Sequence, residues 1–308
     1  MAVWLLPGQG AQAPGMGLGV WGDVEARAVF EAGSDVLGID LVRLASSAQR
    51  PEVDDAFNAQ ALTMATTLAC GTLLLRRGMR PSAVVGFSLG QIGALALSGM
   101  LSAEEAFELL KVRAGAMSDA CREHPGAMLA VMGMELRDVQ DIVDDSARGS
   151  VLVVANHNCP GQLVVSGSLG AIARCEEQVK LRKRKAVRLN TAGAFHSPLM
   201  HDAALQVAAA CERMSFCEPQ FPVICNTDAQ PLSVGEAAKR LSLQVESPVL
   251  FEESVRSLLE GGEHDFVEVG FGKVLSGLMK RIDRTATCCR VDSLEAASAY
   301  FSACEEGE

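Results

Sequence analysis

The run Gly86-Phe87-Ser88-Leu89-Gly90 sets one serine between two flanking glycines. Glycines there permit a turn too crowded for larger residues, which lifts the hydroxyl out at the start of a helix as a nucleophile elbow. Amides of the first helical turn then face the space above Ser88, where they can stabilise an oxyanion formed by attack on a carbonyl. Such chemistry is acyl transfer, and it needs a base. Only five histidines are available, His124, His157, His196, His201 and His264. His196 is the best placed, because AGAFHSPLM surrounds it with small and apolar residues that put an imidazole in a partly buried loop. His196 and His201 lie five apart, but no third ligand has suitable spacing, so no metal is expected.

A hydrolase-type triad would add an acid between serine and histidine in the chain. Asp138, Asp141, Asp144 and Asp145 lie there, but they form the solvent face of one helical stretch, so orientation of the ring by a non-acidic acceptor stays open. Arg113 is the most informative charge. It falls in register with Ala106, Leu109, Leu110 and Met117 on the apolar face of a helix. A buried guanidinium calls for an anion, either a carboxylate of the protein or one on the substrate held through a bidentate contact. In the second case the enzyme would select acyl groups that end in a second carboxylate.

These residues need elements to hold them. Ala2 to Leu6 reads as a buried strand that stops at the glycine-rich loop PGQGAQAPGMG. A mostly apolar helical pattern from Ala59 to Arg77 precedes a short strand, Ala83 to Gly86, which leads straight into the elbow. Ser102 to Cys121 reads as helix, opened by a capping box of Ser102 and Glu105. Strand 127–133, helix 135–146, strands 151–157 and 161–167, helix 168–181 and strand 183–189 then follow the βαββαβ order of a ferredoxin-like unit. Beyond it, strands in PVICN (222–226) and HDFVEVG (264–270) restore the α/β alternation. The expected fold is α/β, a core with a parallel sheet in residues 1–125 and 191–308, interrupted by an α+β subdomain at 126–190.

Composition narrows the classes. With 308 residues and 49% apolar content the chain can bury a large core. The opening MAVWLLPGQG has no basic leader, and no run reaches the ~18 apolar residues of a membrane span, so secretion and membrane insertion are not expected. Ten scattered cysteines without a CxxC pair read as reduced thiols, and Cys288 and Cys289 as two partly buried small residues. A net charge of -11 argues against nucleic-acid binding. One basic run, Lys180 to Lys185, opposes that average and reads as a solvated edge or a site of attraction for an acidic partner.

The motifs PGQGAQ (7–12), GFSLGQ (86–91), VRAGAM (112–117), ANHNCPGQLVVSG (155–167), AFHSPLM (194–200), QVESPV (244–249) and FVEVGFGKVLSGLMKRI (266–282) together resemble the malonyl-CoA:acyl carrier protein transacylases. The similarity spans nearly the whole chain and extends to polyketide synthase acyltransferase domains. It implies an α/β-hydrolase-like core with a ferredoxin-like insertion. By position it implies Ser88 as the acylated residue, His196 as general base, the Gln244 carbonyl as orienting group, and the Gln9 and Leu89 amides as oxyanion hole. It implies Arg113 as the malonyl clamp, with Met117, Phe195 and Phe87 lining the substrate site. Phe195 resembles the bulky choice that favours malonyl over methylmalonyl units. Malonyl-CoA and acyl carrier protein are then the partners, without metal or redox cofactor, in a cytoplasmic monomer. Two positions depart from the usual GHSLGE elbow, Phe87 for an imidazole and Gln91 for a carboxylate, which touches pocket polarity and acyl selectivity. Carriers of fatty-acid synthesis, of a polyketide synthase or of malonate decarboxylase fit equally. A thioesterase, and a non-catalytic carrier-binding module, are the rival readings.

Overall fold

The computed structural model describes residues 1–305. Strand β1 (Val3–Leu6) is buried throughout and is followed by α1 (Val24–Leu37), α2 (Leu41–Ser47), α3 (Arg50–Val53) and α4 (Ala56–Arg76). Fifteen of the 21 residues of α4 are buried, which is why its sequence is apolar almost all round rather than striped. Strand β2 (Val84–Gly86), α5 (Gly90–Leu97) and α6 (Ala103–Glu123) come next. The expected capping box is present at α6 in both directions, with Ser102 Oγ accepting from Glu105 N and the Glu105 carboxylate accepting from Ser102 N.

The middle of the chain forms β3 (Gly126–Met132), α7 (Leu136–Ala147), β4 (Leu152–Cys159), β5 (Gln162–Ser168), α8 (Leu169–Leu181) and β6 (Lys185–Arg188). This is the βαββαβ order read from the sequence, with ends moved by at most two residues. Its apolar cluster is its own, built from residues such as Leu129, Ile142, Val165 and Ile172. Asp138, Asp141, Asp144 and Asp145 all face solvent. The rest of the chain is α9 (His201–Cys211), β7 (Val223–Ile224), α10 (Val234–Gln244), β8 (Val249–Leu250), α11 (Phe251–Glu260), β9 (Asp265–Val269), α12 (Val274–Ile282), β10 (Thr287–Val291) and α13 (Leu294–Glu305).

Two five-stranded sheets result. The first, in order β10-β9-β1-β2-β7, is parallel throughout. Chain order reverses at β1, which lies between β9 and β2, and such a switch point opens a crevice at the carboxyl ends of the strands. Both the PGQGAQ loop and the elbow leave the sheet there, since Leu6 pairs with Gly86. The second sheet runs β6-β3-β5-β4-β8, antiparallel except that β8 joins β4 in parallel. Its fifth strand thus comes from outside residues 126–190. Only two residues long, β8 carries no alternation that sequence reading could detect, yet it covers an edge of β4 that would otherwise be open.

Buried Glu268 on β9 fastens the crevice from below. Its two carboxylate oxygens accept from Leu275 N at 3.0 Å and Ser276 N at 2.9 Å, capping the first turn of α12. The loop between β9 and α12 then rests on the β1 loop, where a Cβ at Gly272 would lie 2.8 Å from that of Ala11. Among the described residues no helix is long and apolar enough to cross a membrane. Glu268→Ala leaves two buried amides without acceptors and should cost roughly 2–4 kcal/mol of unfolding free energy in urea titration; a loss below about 1 kcal/mol would mean that the carboxylate does not hold α12.

Candidate active site

Close backbone approach makes the elbow. A Cβ at Gly90 would lie 2.2 Å from the carbonyl oxygen of Leu6, and one at Gly8 would lie 2.5 Å from that of Phe87, so only glycine lets the β1 loop and the elbow touch. That contact sets Gln9 beside the turn, and Leu89 stands at the N-cap of α5. Ser88 itself has φ 52°, a left-handed conformation that costs a non-glycine residue about 1–2 kcal/mol. Its peptide groups are held in return. Ser88 N donates to Asn226 Oδ1 at 2.9 Å, and Ser88 O accepts from Gln244 Nε2 at 3.0 Å.

His196 comes from the loop before α9 and also has a positive φ, 57°. Its Nε2 lies 2.7 Å from Ser88 Oγ, and its Nδ1 faces the carbonyl oxygens of Gln244 at 2.8 Å and Ser247 at 3.2 Å. Both neighbours of Nδ1 can only accept, so Nδ1 carries the proton and Nε2 offers its lone pair to the serine hydroxyl. The acid missing from the sequence is replaced by two main-chain carbonyls, of which Ser247 was not anticipated. Burial, reinforced by the nearby Arg113 cation, pushes the imidazole down to about 4. The ring is therefore neutral at pH 7, the state a general base requires.

Arg113 is 3% exposed and ends beside the Ser88 hydroxyl. Its Nη1 donates to Gln60 Oε1 at 2.7 Å and its Nη2 to Ser88 Oγ at 3.1 Å, while Nε has no partner. Among the described residues no carboxylate lies within ion-pair distance of it, which removes the first of the two alternatives read from the sequence. Burial lowers the guanidinium to about 10, so it stays cationic at pH 7. An unpaired buried charge is costly, and two neutral acceptors offset only part of that cost. The group is aimed at an anion that the described residues do not supply.

Met117 lies one turn beyond Arg113 on α6 and is buried, as is Phe195 next to His196. Phe87 is half-buried and packs edge-on against Phe251 with ring centroids 5.5 Å apart. Gln91 points away from the serine hydroxyl into a buried amide network, where its Oε1 accepts from Asn226 N at 2.9 Å and Gln244 Nε2 at 3.1 Å. It does not line the pocket, so any influence on acyl choice is transmitted through that network. Gln60 and Asn226 were not singled out from the sequence. Gln60 left a trace as a lone amide in an apolar stretch of helix, whereas Asn226 left none. His201 pairs outward with Glu246, apart from His196. Among the described residues, exposed Glu123, His124 and Asp202 bring three ligand atoms close enough for a cation, on the surface and without contact to this site.

A serine on a strand-turn-helix elbow, hydrogen-bonded to a neutral histidine, defines a serine acyltransferase or hydrolase. Residues 3–291 match the acyl transferase domain family, and the chain belongs to it. It is 33% identical to the malonyl CoA-acyl carrier protein transacylase of Bacillus subtilis (strain 168) over 91% of this chain and 90% of the relative. The enzyme of that name from Staphylococcus aureus (strain MRSA252) is 30% identical over 94% and 95%. Among solved structures, malonyl-CoA:acyl carrier protein transacylase from Xanthomonas oryzae superposes with a TM-score of 0.94 at 33% identity, covering 98% of each chain. A malonyl-transacylase in complex with its type II PKS acyl-carrier protein also gives 0.94, at 30% identity, covering 98% of this chain and 99% of that one.

The sign of the pH dependence follows from His196. A base whose pKa is depressed to about 4 stays deprotonated through the neutral range, so kcat/KM for the acyl donor should hold from pH 8 down towards pH 5 and fall only near its pKa. Arg113→Ala removes a cation that disfavours imidazolium, so the acid limb should move to higher pH. A limb that stays in place, or moves lower, would show that the two groups do not interact.

Proposed function

We propose that this protein transfers malonyl from malonyl-CoA to the phosphopantetheine thiol of an acyl carrier protein through a Ser88 ester. The observation that carries this reading is Arg113, a buried cation without a counter-ion among the described residues, 3.1 Å from the nucleophilic oxygen. A malonyl group has its carboxylate one methylene from the carbonyl under attack. That spacing suits a guanidinium set directly beside the serine.

Ser88 Oγ attacks the thioester carbonyl while His196 Nε2 takes the hydroxyl proton. The Nδ1 proton stays on the ring, held by the Gln244 and Ser247 carbonyls, and these stabilise the imidazolium that forms. The backbone amides of Gln9 and Leu89 receive the oxyanion. Collapse breaks the carbon–sulfur bond, His196 returns the proton to sulfur, and coenzyme A leaves. The carrier thiol enters next, gives its proton to His196 and attacks the ester; collapse restores Ser88 and releases the malonyl thioester. Arg113 holds the malonyl carboxylate through both halves, while Met117, Phe195 and Phe87 shape the apolar wall around the acyl carbon. No residue is called on to bind a metal or redox cofactor.

The division into residues 1–125 with 191–308 and a subdomain at 126–190 supports this reading, with the cleft between the two sheets as the entry for both malonyl-CoA and the carrier arm. Gly126 at the start of β3 lies against Ala194, two residues from the base. The ten cysteines are all free thiols, in keeping with a cytoplasmic enzyme.

Incubation with labelled malonyl-CoA should place one malonyl group on Ser88, seen as a mass increase lost in Ser88→Ala. An unmodified Ser88 would overturn the mechanism. Arg113→Ala should lower kcat/KM for malonyl-CoA by about 100-fold, the worth of a charge-assisted pair, and leave acetyl-CoA nearly as before. Equal losses with both donors would remove the clamp.

A further inference from the structure

We propose that Gln91, Asn226 and Gln244 form a single positioning unit for nucleophile and base, in which position 91 acts on its two amide partners as acceptor and position 244 acts as donor. The inference rests on the reading of Ser88 as nucleophile and His196 as base. All three amides are essentially excluded from solvent, at 0%, 1% and 1% exposure.

Their orientations follow from backbone groups that cannot change role. Ser88 N can only donate, so the atom of Asn226 that faces it is Oδ1. Asn226 N can only donate, so Gln91 presents Oε1. Ser88 O can only accept, so Gln244 presents Nε2. That Nε2 also lies 3.1 Å from Gln91 Oε1 and 3.1 Å from Asn226 Oδ1, which makes three acceptors around two hydrogens. Asn226 Nδ2 completes the set by donating to Gly86 O, at the first residue of the elbow. The side chain of Gln244 therefore holds the serine, and its own main-chain carbonyl holds His196 Nδ1 at 2.8 Å. One residue sets both partners of the 2.7 Å contact between Oγ and Nε2.

Donor and acceptor roles then separate two glutamines that otherwise look alike. A carboxylate at 91 keeps the oxygen that accepts from Asn226 N and Gln244 Nε2, and gives up only the donor end, which reaches Cys225 Sγ at 4.0 Å. A carboxylate at 244 leaves Ser88 O, Gln91 Oε1 and Asn226 Oδ1 facing a further acceptor. Each substitution buries the same charge, so the difference between them reports hydrogen-bond direction. This accounts for Gln91 in a place where similar elbows carry glutamate: the contacts to Asn226 and Gln244 use the oxygen common to both side chains.

The test uses the full-length enzyme with malonyl-CoA and carrier protein. Gln91→Glu should lower kcat by no more than about tenfold, and Gln244→Glu by at least about 100-fold, the scale of a small misplacement of reacting groups. KM for malonyl-CoA should change less than about threefold in both, because neither residue faces the acyl pocket. Gln244→Met removes the donor without adding charge and covers the case in which the charged variant fails to fold; it should lose more than about tenfold in kcat with KM preserved. Ser88→Ala separates the two levels. If it remains active, the nucleophile assignment fails. If it is inactive while Gln244→Met keeps wild-type kcat, or while the two glutamate variants lose equally, the positioning unit is wrong.

Discussion

Everything at this site depends on holding Ser88 in a left-handed turn that an L-residue does not favour. The turn exists because β1 and β2 end side by side and their loops meet closer than any side chain would allow. Three backbone groups around the serine, at Gly86 and on both sides of Ser88, are tied to side-chain amides from distant segments. The strain is local and the restraint is long-range. A serine hydroxyl fixed in this way meets its base without a search, which is the part of catalysis that geometry alone can supply.

Electrostatics divides the labour differently from a triad with an acid. Main-chain carbonyls set the tautomer of His196 without bringing a negative charge into the pocket. Among the described residues Arg113 therefore remains the one charge in direct contact with the Ser88 hydroxyl, and its field falls undiluted on whatever anion enters. A carboxylate behind the histidine would have raised its basicity and competed with substrate for the arginine. Carbonyl orientation keeps the base neutral and the cation free at the same time.

The parts of the site that the sequence made legible are those with local signatures: glycines around Ser88, a charge out of place on an apolar helix face at Arg113, small residues around His196. The βαββαβ insertion was legible for the same reason, since each of its elements carries its own period. Gln244 came into view only through family resemblance, because a carbonyl oxygen has no residue type. Asn226 and Ser247 had no local mark, as their roles depend on partners 138 and 51 residues away. Gln91 looked like a change in pocket polarity, whereas the structure turns it inward. Strand β8 escaped because two residues cannot display alternation.

That short strand has a mechanical consequence. Residues 244 to 250 carry the carbonyls that steer His196 and then enter the second sheet beside β4. Leu250 N is in turn bonded to Asn226 O at 2.9 Å, so the same tether runs back to the elbow. The two sheets are thus not independent jaws. Swinging them apart like a hinge would drag the imidazole off its serine, so passage of coenzyme A and of a carrier arm is left to side chains that yield while both sheets stay docked.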